Sequence, residues 1–329
     1  MTHRRGIEQG HNIPPETPED LFCIARAFQY SRALHLANNI EVFTHLAGGP
    51  MTAEGLSERT GVELPALEKV LIAAAMGLLV TDGERFSNSL VAARYLVRGK
   101  PEYIGDAILL TSGWWDRMNE LSAAVLPPPP AEGARPEEIW HERFIRAMHD
   151  YASTGDAELL ADAVDLSGRR KLLDLGGGPG TYAVYFCKKY PELTAVVFDL
   201  PESESVFREV VESYGMAGRV EFKPGDLDKT PLGKGYDVAL VSNMMHGYRG
   251  DVIPPKVFRA LVPGGLILVR DFILYPEKNG PLAAALFNMG IGAYSEEEML
   301  EFLSRAGFAD AACRELADHM LITACKPAG

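Results

Sequence analysis

The sequence predicts an α/β protein with a mainly parallel sheet, an antiparallel last strand and an N-terminal helical domain. From residue 171 onward, short apolar strands alternate with helical segments, as expected of a parallel sheet covered by helices on both faces. Residues 17–100 instead carry helical apolar spacing that ends in a short hairpin. A glycine-rich turn follows the first of the apolar strands and opens a helix, which identifies the first strand–turn–helix unit of the sheet.

Size and charge narrow the classes of function. The 329 residues suffice for two domains with separate cores, and 47% of them are apolar. A formal net charge of −13 opposes binding to phosphate backbones, so we expect no nucleic-acid partner. No apolar run approaches the roughly 20 residues of a membrane span, and the N-terminus has no apolar signal core. We therefore expect a cytoplasmic protein without a membrane partner, and four scattered cysteines favour reduced thiols over a metal site.

Residues 17–100 are predicted to form a winged-helix domain. A helix is predicted to begin at Thr17 with a proline just inside it, and two further helices are predicted over residues 51–61 and 62–76. The Asp82-Gly83 pair then predicts a tight turn between two short strands. Helix, helix and hairpin in this order is the winged-helix arrangement.

The helix over residues 62–76 argues against a DNA-binding regulator. Its only charged residues are Glu63, Glu68 and Lys69, and nearly all the others are apolar. A helix that reads DNA needs basic and amide side chains facing the groove. We therefore expect this helix to pack in a core or in a dimer interface.

Composition sets the other domain bounds. Residues 1–16 are polar and contain two prolines, so we predict a flexible N-terminus there. Residues 101–150 are predicted to be a helical connection, and residues 151–329 the sheet domain. The predicted parts of the connection are a helix over residues 103–126, a polyproline break over residues 127–130 and a helix over residues 137–151.

The glycine-rich turn carries the most information about a ligand. Residues 171–181 read KLLDLGGGPGT, and Thr181 stands where a dinucleotide fingerprint has its last glycine. Asp174 precedes the turn, where it would repel a pyrophosphate and attract a cation. Asp199 ends the next strand, at a spacing that suits hydrogen bonds to ribose hydroxyls. The turn thus indicates a cationic, adenosine-bearing ligand and disfavours a dehydrogenase. Its alternating glycines are Gly176, Gly178 and Gly180.

The ends of the later strands supply further candidates, because ligands of open parallel sheets bind beyond the carboxyl ends of the strands. Asp226 follows the third strand and could accept the exocyclic amine of an adenine. His246 follows the fourth strand and Asp271 ends the fifth, which leaves a histidine and an acid for a reaction. The residues at these three strand ends are Asp226, Leu227, Ser242, Asn243, His246 and Asp271.

Together these motifs resemble those of the dimeric small-molecule O-methyltransferases of plants and bacteria. That family joins a winged-helix dimerisation domain to a Rossmann-like domain that binds S-adenosylmethionine. The resemblance extends over about residues 18–326. The matching motifs are DLGGGPG at residues 174–180, FDLP at 198–201, GDL at 225–227, MHGY at 245–248, PGG at 263–265 and RDFIL at 270–274.

The resemblance implies a methyl donor and an assembly. The donor would be S-adenosylmethionine, the product S-adenosyl-L-homocysteine, and no metal would take part. The chain would form a homodimer through its N-terminal domain. The donor-binding residues implied by the matching motifs are Asp174, Gly176, Gly178, Gly180, Asp199, Leu200, Asp226, Leu227, Ser242 and Asn243.

The resemblance also implies a reaction. His246 corresponds to the family's general base, which removes a proton from the acceptor hydroxyl, and Asp271 to the acid that orients it. A flat, hydroxylated aromatic molecule of bacterial secondary or cofactor metabolism is the implied acceptor. Its candidate pocket residues are Trp140, Phe144, Met148, Met245, Phe287, Asn288 and Met289. The first three recur at four-residue steps on one helix face, for which ordinary core packing is the alternative explanation.

Three positions depart from the family pattern. Gly247 and Tyr248 replace the Asp and Trp that usually follow the histidine, and Ala293 aligns with a glutamate of the plant members. Two alternatives therefore stay open beside O-methyl transfer. One is a C- or N-methyltransferase on the same scaffold, and the other is a protein that binds S-adenosylmethionine but has lost catalysis.

Overall fold

A computed structural model describes residues 14–126 and 136–328, which form two compact units. The first unit runs up to Leu126 and also takes in Glu277–Gly290. The second unit comprises residues 136–276 and 291–328. The polyproline break and all but the last three residues of the predicted flexible N-terminus lie outside the described residues. The domain bounds predicted at residues 100 and 150 stay predictions beside this division.

The N-terminal part of the first unit is helical with one small sheet. Strands β1, β3 and β2 pair antiparallel in that order, which confirms the predicted hairpin and adds a third strand to it. The elements are α1 (Pro18–Asn39), α2 (Val42–His45), β1 (Met51–Thr52), α3 (Ala53–Thr60), α4 (Leu64–Ala74), β2 (Leu79–Thr81), β3 (Arg85–Asn88), α5 (Leu90–Tyr95), α6 (Gly105–Ser112) and α7 (Trp114–Val125).

Capping residues explain where these helices begin and end. The Thr17 hydroxyl accepts a hydrogen bond from the Asp20 N–H, and the Asp20 carboxylate accepts one from the Thr17 N–H, so that a capping box begins α1. Gly61 ends α3 in the left-handed conformation, with φ 71°. The single helix predicted over residues 103–126 is divided at Gly113 into α6 and α7, since glycine is a poor helix former.

The remaining described residues alternate strands and helices. A π-helical turn, Ala152–Asp156, separates the first two helices of this part. Among the described residues, no helix is both long and apolar enough to cross a membrane. The elements are α8 (Pro136–Tyr151), α9 (Ala157–Ala163), β4 (Lys171–Leu175), α10 (Thr181–Lys189), β5 (Thr194–Asp199), α11 (Glu204–Ser213), β6 (Val220–Pro224), β7 (Tyr236–Ser242), α12 (Ile253–Ala260), β8 (Leu261–Asp271), α13 (Leu282–Gly290), α14 (Glu296–Arg305), β9 (Ala309–Leu316) and β10 (His319–Cys325).

Helix α4 belongs to the core of the first unit, as predicted for the apolar segment over residues 62–76. Leu67 and Leu71 on this helix are fully buried among residues of the neighbouring helices and strands. Helix α13 packs on α4 and buries Leu286 against Ala33 and Ala73. Because these side chains fill the core, they are not available to contact DNA.

The second unit is built on a seven-stranded sheet in the order β6-β5-β4-β7-β8-β10-β9. The five strands β4 to β8 are parallel to one another, and β10 is antiparallel to both of its neighbours, β8 and β9. The predicted mainly parallel sheet with an antiparallel last strand is therefore confirmed. The sequence does not predict β9, because this edge strand is largely exposed and lacks a continuous apolar run. The connection that leaves β4 leads to β5 on one side, and the connection that leaves β7 leads to β8 on the other. This reversal creates a crevice at the carboxyl ends of β4 and β7.

Candidate active site

The turn between β4 and α10 lies at this crevice. Gly176, Gly178 and Gly180 have φ values of 67°, 49° and 73°, in the left-handed region that favours glycine. The Gly176 N–H donates to the Phe198 carbonyl at 2.8 Å and ties the turn to the end of β5. The three alternating glycines of the sequence are thus the positions where the backbone of the turn is left-handed.

The absent glycine side chains leave room for the protein's own side chains as well as for a ligand. A Cβ on Gly176 would overlap the Met244 thioether, and one on Gly177 would lie 2.5 Å from the Asp174 carboxyl carbon. A Cβ on Gly180 would lie 2.9 Å from the Phe207 ring. From the sequence, the glycine-rich turn is predicted to bind a ligand. The structure adds that three glycines of the turn are required by packing within the protein.

Asp174 is a fully buried carboxylate beneath this turn. Neither of its oxygens has a hydrogen-bond partner of ordinary geometry in the described chain. Burial is the main cause that raises the pKa of Asp174 to about 7, and the nearby Asp199 adds to it. The Ala183 N–H opposes this rise, although it does not form a hydrogen bond of ordinary geometry with the carboxylate. An unpaired buried anion is costly, and a cation beside it would remove much of that cost.

Asp199 closes the opposite side of the turn. Its Oδ2 accepts from the Gly178 N–H at 2.7 Å, and its Oδ1 accepts from the Leu200 N–H at 2.7 Å and the Ser203 hydroxyl at 3.0 Å. Burial raises the pKa of Asp199, and these three donors oppose the rise. The carboxylate is therefore held in one orientation beside the glycine turn, as a ribose-binding acid would need to be.

The structure brings the two predicted reaction residues together. His246 Nδ1 lies 2.7 Å from Asp271 Oδ1. Asp271 is fully buried and also accepts hydrogen bonds from the Met245 and Phe272 N–H groups at 2.9 and 2.8 Å. The two backbone N–H groups hold the carboxylate in place, and the carboxylate in turn orients the imidazole.

The predicted residues that follow β6 have a different environment. The Asp226 carboxylate accepts from Lys229 Nζ at 2.8 Å and from the Asp228 N–H at 2.9 Å, and the Lys229 hydrogen bond lowers its pKa. Leu227 is buried in the core, whereas Leu200, at the end of β5, is 43% exposed. An adenine contact by Asp226 stays a prediction.

Asn243, which follows β7, combines a left-handed backbone conformation with a buried side-chain oxygen that lacks a partner among the described residues. Its φ is 52°, uncommon for a residue other than glycine, and its backbone N–H donates to the Arg270 carbonyl at 2.8 Å. Its side-chain oxygen is buried and has no hydrogen-bond partner within the part of the chain that the structure describes. A buried acceptor of this kind requires a donor, which a ligand could supply.

Arg270 is a buried residue that the sequence interpretation missed. Its guanidinium is 1% exposed and contacts the Asp156 carboxylate, His319 Nδ1 at 2.9 Å and the Ser242 hydroxyl at 3.4 Å. It also lies over the Tyr182 ring, 5.3 Å from the centroid. An arginine inside an otherwise apolar strand was the only available signal. Its partners could not be inferred, because they come from distant parts of the chain.

The predicted acceptor residues are divided between the two units. The Trp140 and Phe144 rings stack on α8 with centroids 5.3 Å apart, and 65% and 42% of these residues are exposed. Met148 is half-buried on the same helix. Met245 is 1% exposed and packs in the sheet core, so the structure does not place it at an accessible surface. The other three, Phe287, Asn288 and Met289, lie on α13 in the first unit.

Comparison with known proteins identifies the family of this chain. The O-methyltransferase domain family matches residues 132–309. The chain is 32% identical to a 3-hydroxy-5-methyl-1-naphthoate 3-O-methyltransferase of Streptomyces sahachiroi, covering 91% of this chain and 92% of that protein. It therefore belongs to the O-methyltransferase family. The predicted family and enzyme class are confirmed.

Two further relatives show the range of the family. The chain is 30% identical to the N,N-dimethyltransferase OxyT of Streptomyces rimosus, with 80% of each chain covered. The crystal structure of an O-methyltransferase family 2 protein from Planctomyces limnophilus, in complex with apigenin, has a TM-score of 0.79 at 24% identity and covers 95% of this chain and 97% of that one. This likeness supports the fold.

The buried Asp174 predicts an unusual dependence of stability on pH. Its folded-state pKa of about 7 exceeds the unfolded value of about 3.9, so between these values the native protein binds more protons. Without cofactor, this residue should stabilise the fold less as pH rises from about 4 to 7, by about 1.4 kcal/mol per pH unit. Asp174→Asn cannot ionise and should not show this loss. The difference in free energy of unfolding between the variant and the native protein should therefore shift in favour of the variant by about 2–3 kcal/mol from pH 5 to pH 8.

Urea unfolding of both proteins at the two pH values measures this difference, and the other titrating groups cancel in the comparison. Equal pH dependence of the two free energies of unfolding would show that folding does not raise the pKa of Asp174.

Proposed function

We propose that this enzyme transfers the methyl group of S-adenosylmethionine to a hydroxyl group of a flat aromatic small molecule, with His246 as the general base. The hydrogen-bonded pair of His246 and the buried Asp271, at the crevice of an O-methyltransferase-family sheet, carries the proposal. The naphthoate specificity in the name of the 32%-identical relative supports an aromatic acceptor.

The residues around the glycine turn suit the donor. Asp199 offers fixed carboxylate oxygens beside the turn for the ribose hydroxyls, and the unpaired oxygens of Asp174 and Asn243 suit a ligand with cationic and donor groups. S-adenosylmethionine supplies an electrophilic methyl group on a positively charged sulfur. The acids of this turn would hold a cation and would repel the pyrophosphate of a dinucleotide.

His246 and Asp271 are assigned the proton transfer. The hydrogen bond from Nδ1–H to Asp271 favours the tautomer with its lone pair on Nε2, and we assign Nε2 to accept the proton of the acceptor hydroxyl. The Asp271 carboxylate would then stabilise the imidazolium. Because histidine titrates near neutral pH, it can take this proton and return it to water in each turnover.

The aromatic pair on α8 is the surface that we assign to the acceptor. Trp140 and Phe144 lie nearly parallel, 13° apart, and expose much of their rings, which suits contact with a flat apolar molecule. Core packing, the alternative explanation for these residues, does not account for this exposure. The assignments of Met148, Phe287, Asn288 and Met289 to the acceptor pocket stay predictions.

Binding and turnover measurements test the function. Calorimetry should detect binding of S-adenosyl-L-homocysteine and no binding of NAD. Labelled methyl groups should pass from S-adenosylmethionine to members of a panel of phenols and hydroxynaphthoates. Transfer to amines of matched ring systems would favour the N-methyl alternative, for which the similarity to OxyT is a specific observation. Failure to bind either the donor or its product would rule out the proposal.

Substitution of the base should separate chemistry from binding. His246→Ala should lower kcat by about 10²–10⁴-fold with a phenolic acceptor and leave the Kd for S-adenosyl-L-homocysteine unchanged. The deficit should shrink above about pH 10, where a simple phenol ionises without a base. Asp271→Asn should lower kcat less. Full turnover by His246→Ala at neutral pH would remove His246 from the mechanism and leave positioning as the source of catalysis.

We also propose that the chain forms a homodimer through its N-terminal unit, and that it works in the cytoplasm. None of the residues of α7 is buried. An apolar stripe on α6 and α7 has exposed fractions of 47–74%, more than an isolated monomer needs to leave open. The stripe consists of Leu110, Trp114, Met118, Leu121 and Val125. A second copy of the chain is the occupant that we assign to it.

The dimer is tested by two charges placed in the stripe. Met118→Glu with Leu121→Glu should convert a dimer into a monomer in sedimentation, because two carboxylates would have to be desolvated in the interface. Glu120→Gln on the polar side of α7 is the matched control and should stay dimeric. A monomeric native protein, or a dimer that tolerates both glutamates, would contradict the assignment.

A further inference from the structure

The inner face of α8 presents a second stripe to the donor side of the crevice. His141, Ile145 and His149 follow one another at four-residue steps, so their side chains lie in a row along one side of the helix. This row is offset by one residue, or about 100° around the helix axis, from the row of Trp140, Phe144 and Met148. The sequence interpretation assigned no role to the second row.

Each end of the second row forms a polar contact with a residue at the glycine turn. His141 Nε2 lies 3.2 Å from the hydroxyl of Ser203, and the same hydroxyl donates to Asp199 Oδ1 at 3.0 Å. His149 Nδ1 lies 2.8 Å from the hydroxyl of Thr181, the buried first residue of α10. The two histidines therefore reach the two sides of the turn that we assign to the donor.

Ile145 provides the apolar contact between them. It is 4% exposed and packs against Val206 and Val210 of α11. Its Cδ1 lies 3.4 Å from the point where a Cβ on Gly178 would stand, which is ordinary van der Waals contact. The turn is thus bounded on this side by α8, and Gly178 is the glycine that faces this helix.

We propose that His141 and His149 are positioning residues of the donor site. Through Ser203, His141 holds the carboxylate of Asp199 in its orientation, and His149 holds the start of α10 through Thr181. Because Trp140 and Phe144 are adjacent to His141 and Ile145 in the helix, the same contacts fix the surface assigned to the acceptor. The inference rests on the proposed function, and it assigns to α8 a share in donor binding.

The geometry allows a crossed pair of substitutions. A glutamine side chain can place a polar atom near the Nε2 position of a histidine, and an asparagine near the Nδ1 position. His141→Gln and His149→Asn should therefore retain the contacts with Ser203 and Thr181. His141→Asn and His149→Gln, with the same chemical groups, should lose them. Arg146→Gln is the matched control on α8, because it removes an exposed ion pair to Glu209 on α11 but no contact with the turn.

Calorimetric titration of each variant with S-adenosyl-L-homocysteine tests the proposal. His141→Asn and His149→Gln should bind roughly three- to tenfold more weakly, while His141→Gln, His149→Asn and the control should bind as the native protein does. Ser203→Ala, which removes the direct donor to Asp199, should weaken binding at least as much as His141→Ala, and the double variant should lose no more than Ser203→Ala alone. The melting temperature of each variant, measured beside its Kd, separates lost positioning from lost folding.

The outcomes are distinguishable. Native protein that does not bind S-adenosyl-L-homocysteine would overturn the proposed function together with this inference. If the native protein binds the product and all four histidine variants bind it equally well, only the positioning role is overturned. Equal weakening by the asparagine and glutamine variants at each position would assign the histidines to helix packing and would also overturn the positioning role.

Discussion

The order of strands in the second unit is the constraint on which the site depends. The connection from β4 to β5 and the connection from β7 to β8 leave in opposite directions, so the carboxyl ends of the adjacent strands β4 and β7 border a crevice. Residues that end different strands, such as Asp199 on β5 and Asp271 on β8, share that edge although they lie far apart in sequence.

Three carboxylates lie at this edge of the sheet, and burying them lowers the stability of the fold. Asp174, Asp199 and Asp271 are all largely withdrawn from water, but they differ in how they are satisfied. Asp271 has three donors and Asp199 has three, whereas the oxygens of Asp174 have no partner within the described residues. This difference fits the proposed roles, in which Asp199 and Asp271 are held in fixed orientations and Asp174 faces a cationic ligand. In the proposed function, the cationic donor would return part of the free energy lost by burying Asp174.

The sequence predicts those parts of the molecule that depend on local pattern. Continuous apolar strands, a glycine-rich turn and acids at strand ends are local features, and they place His246 and Asp271 at neighbouring strand ends. The pairing of these two residues is implied by the family resemblance, and the structure shows the contact. Packing between distant segments is a different matter. That the thioether of Met244 fills the space above Gly176, or that Arg270 meets Asp156, depends on tertiary geometry that no spacing in the sequence encodes.

The two rows on α8 place residues assigned to the donor site and residues assigned to the acceptor site on one helix. Adjacent rows on one helix differ only by the rotation per residue, so Trp140 and Phe144 cannot move without His141 and Ile145. The inner row is held against α11 and the turn by buried apolar contact and by hydroxyl groups, while the outer row is left exposed. A methyl transfer gains most of its rate from in-line placement of its two reactants. In the proposed assignments, α8 contacts the donor turn on one side and offers an aromatic surface to the acceptor on the other, so a single helix would provide that placement.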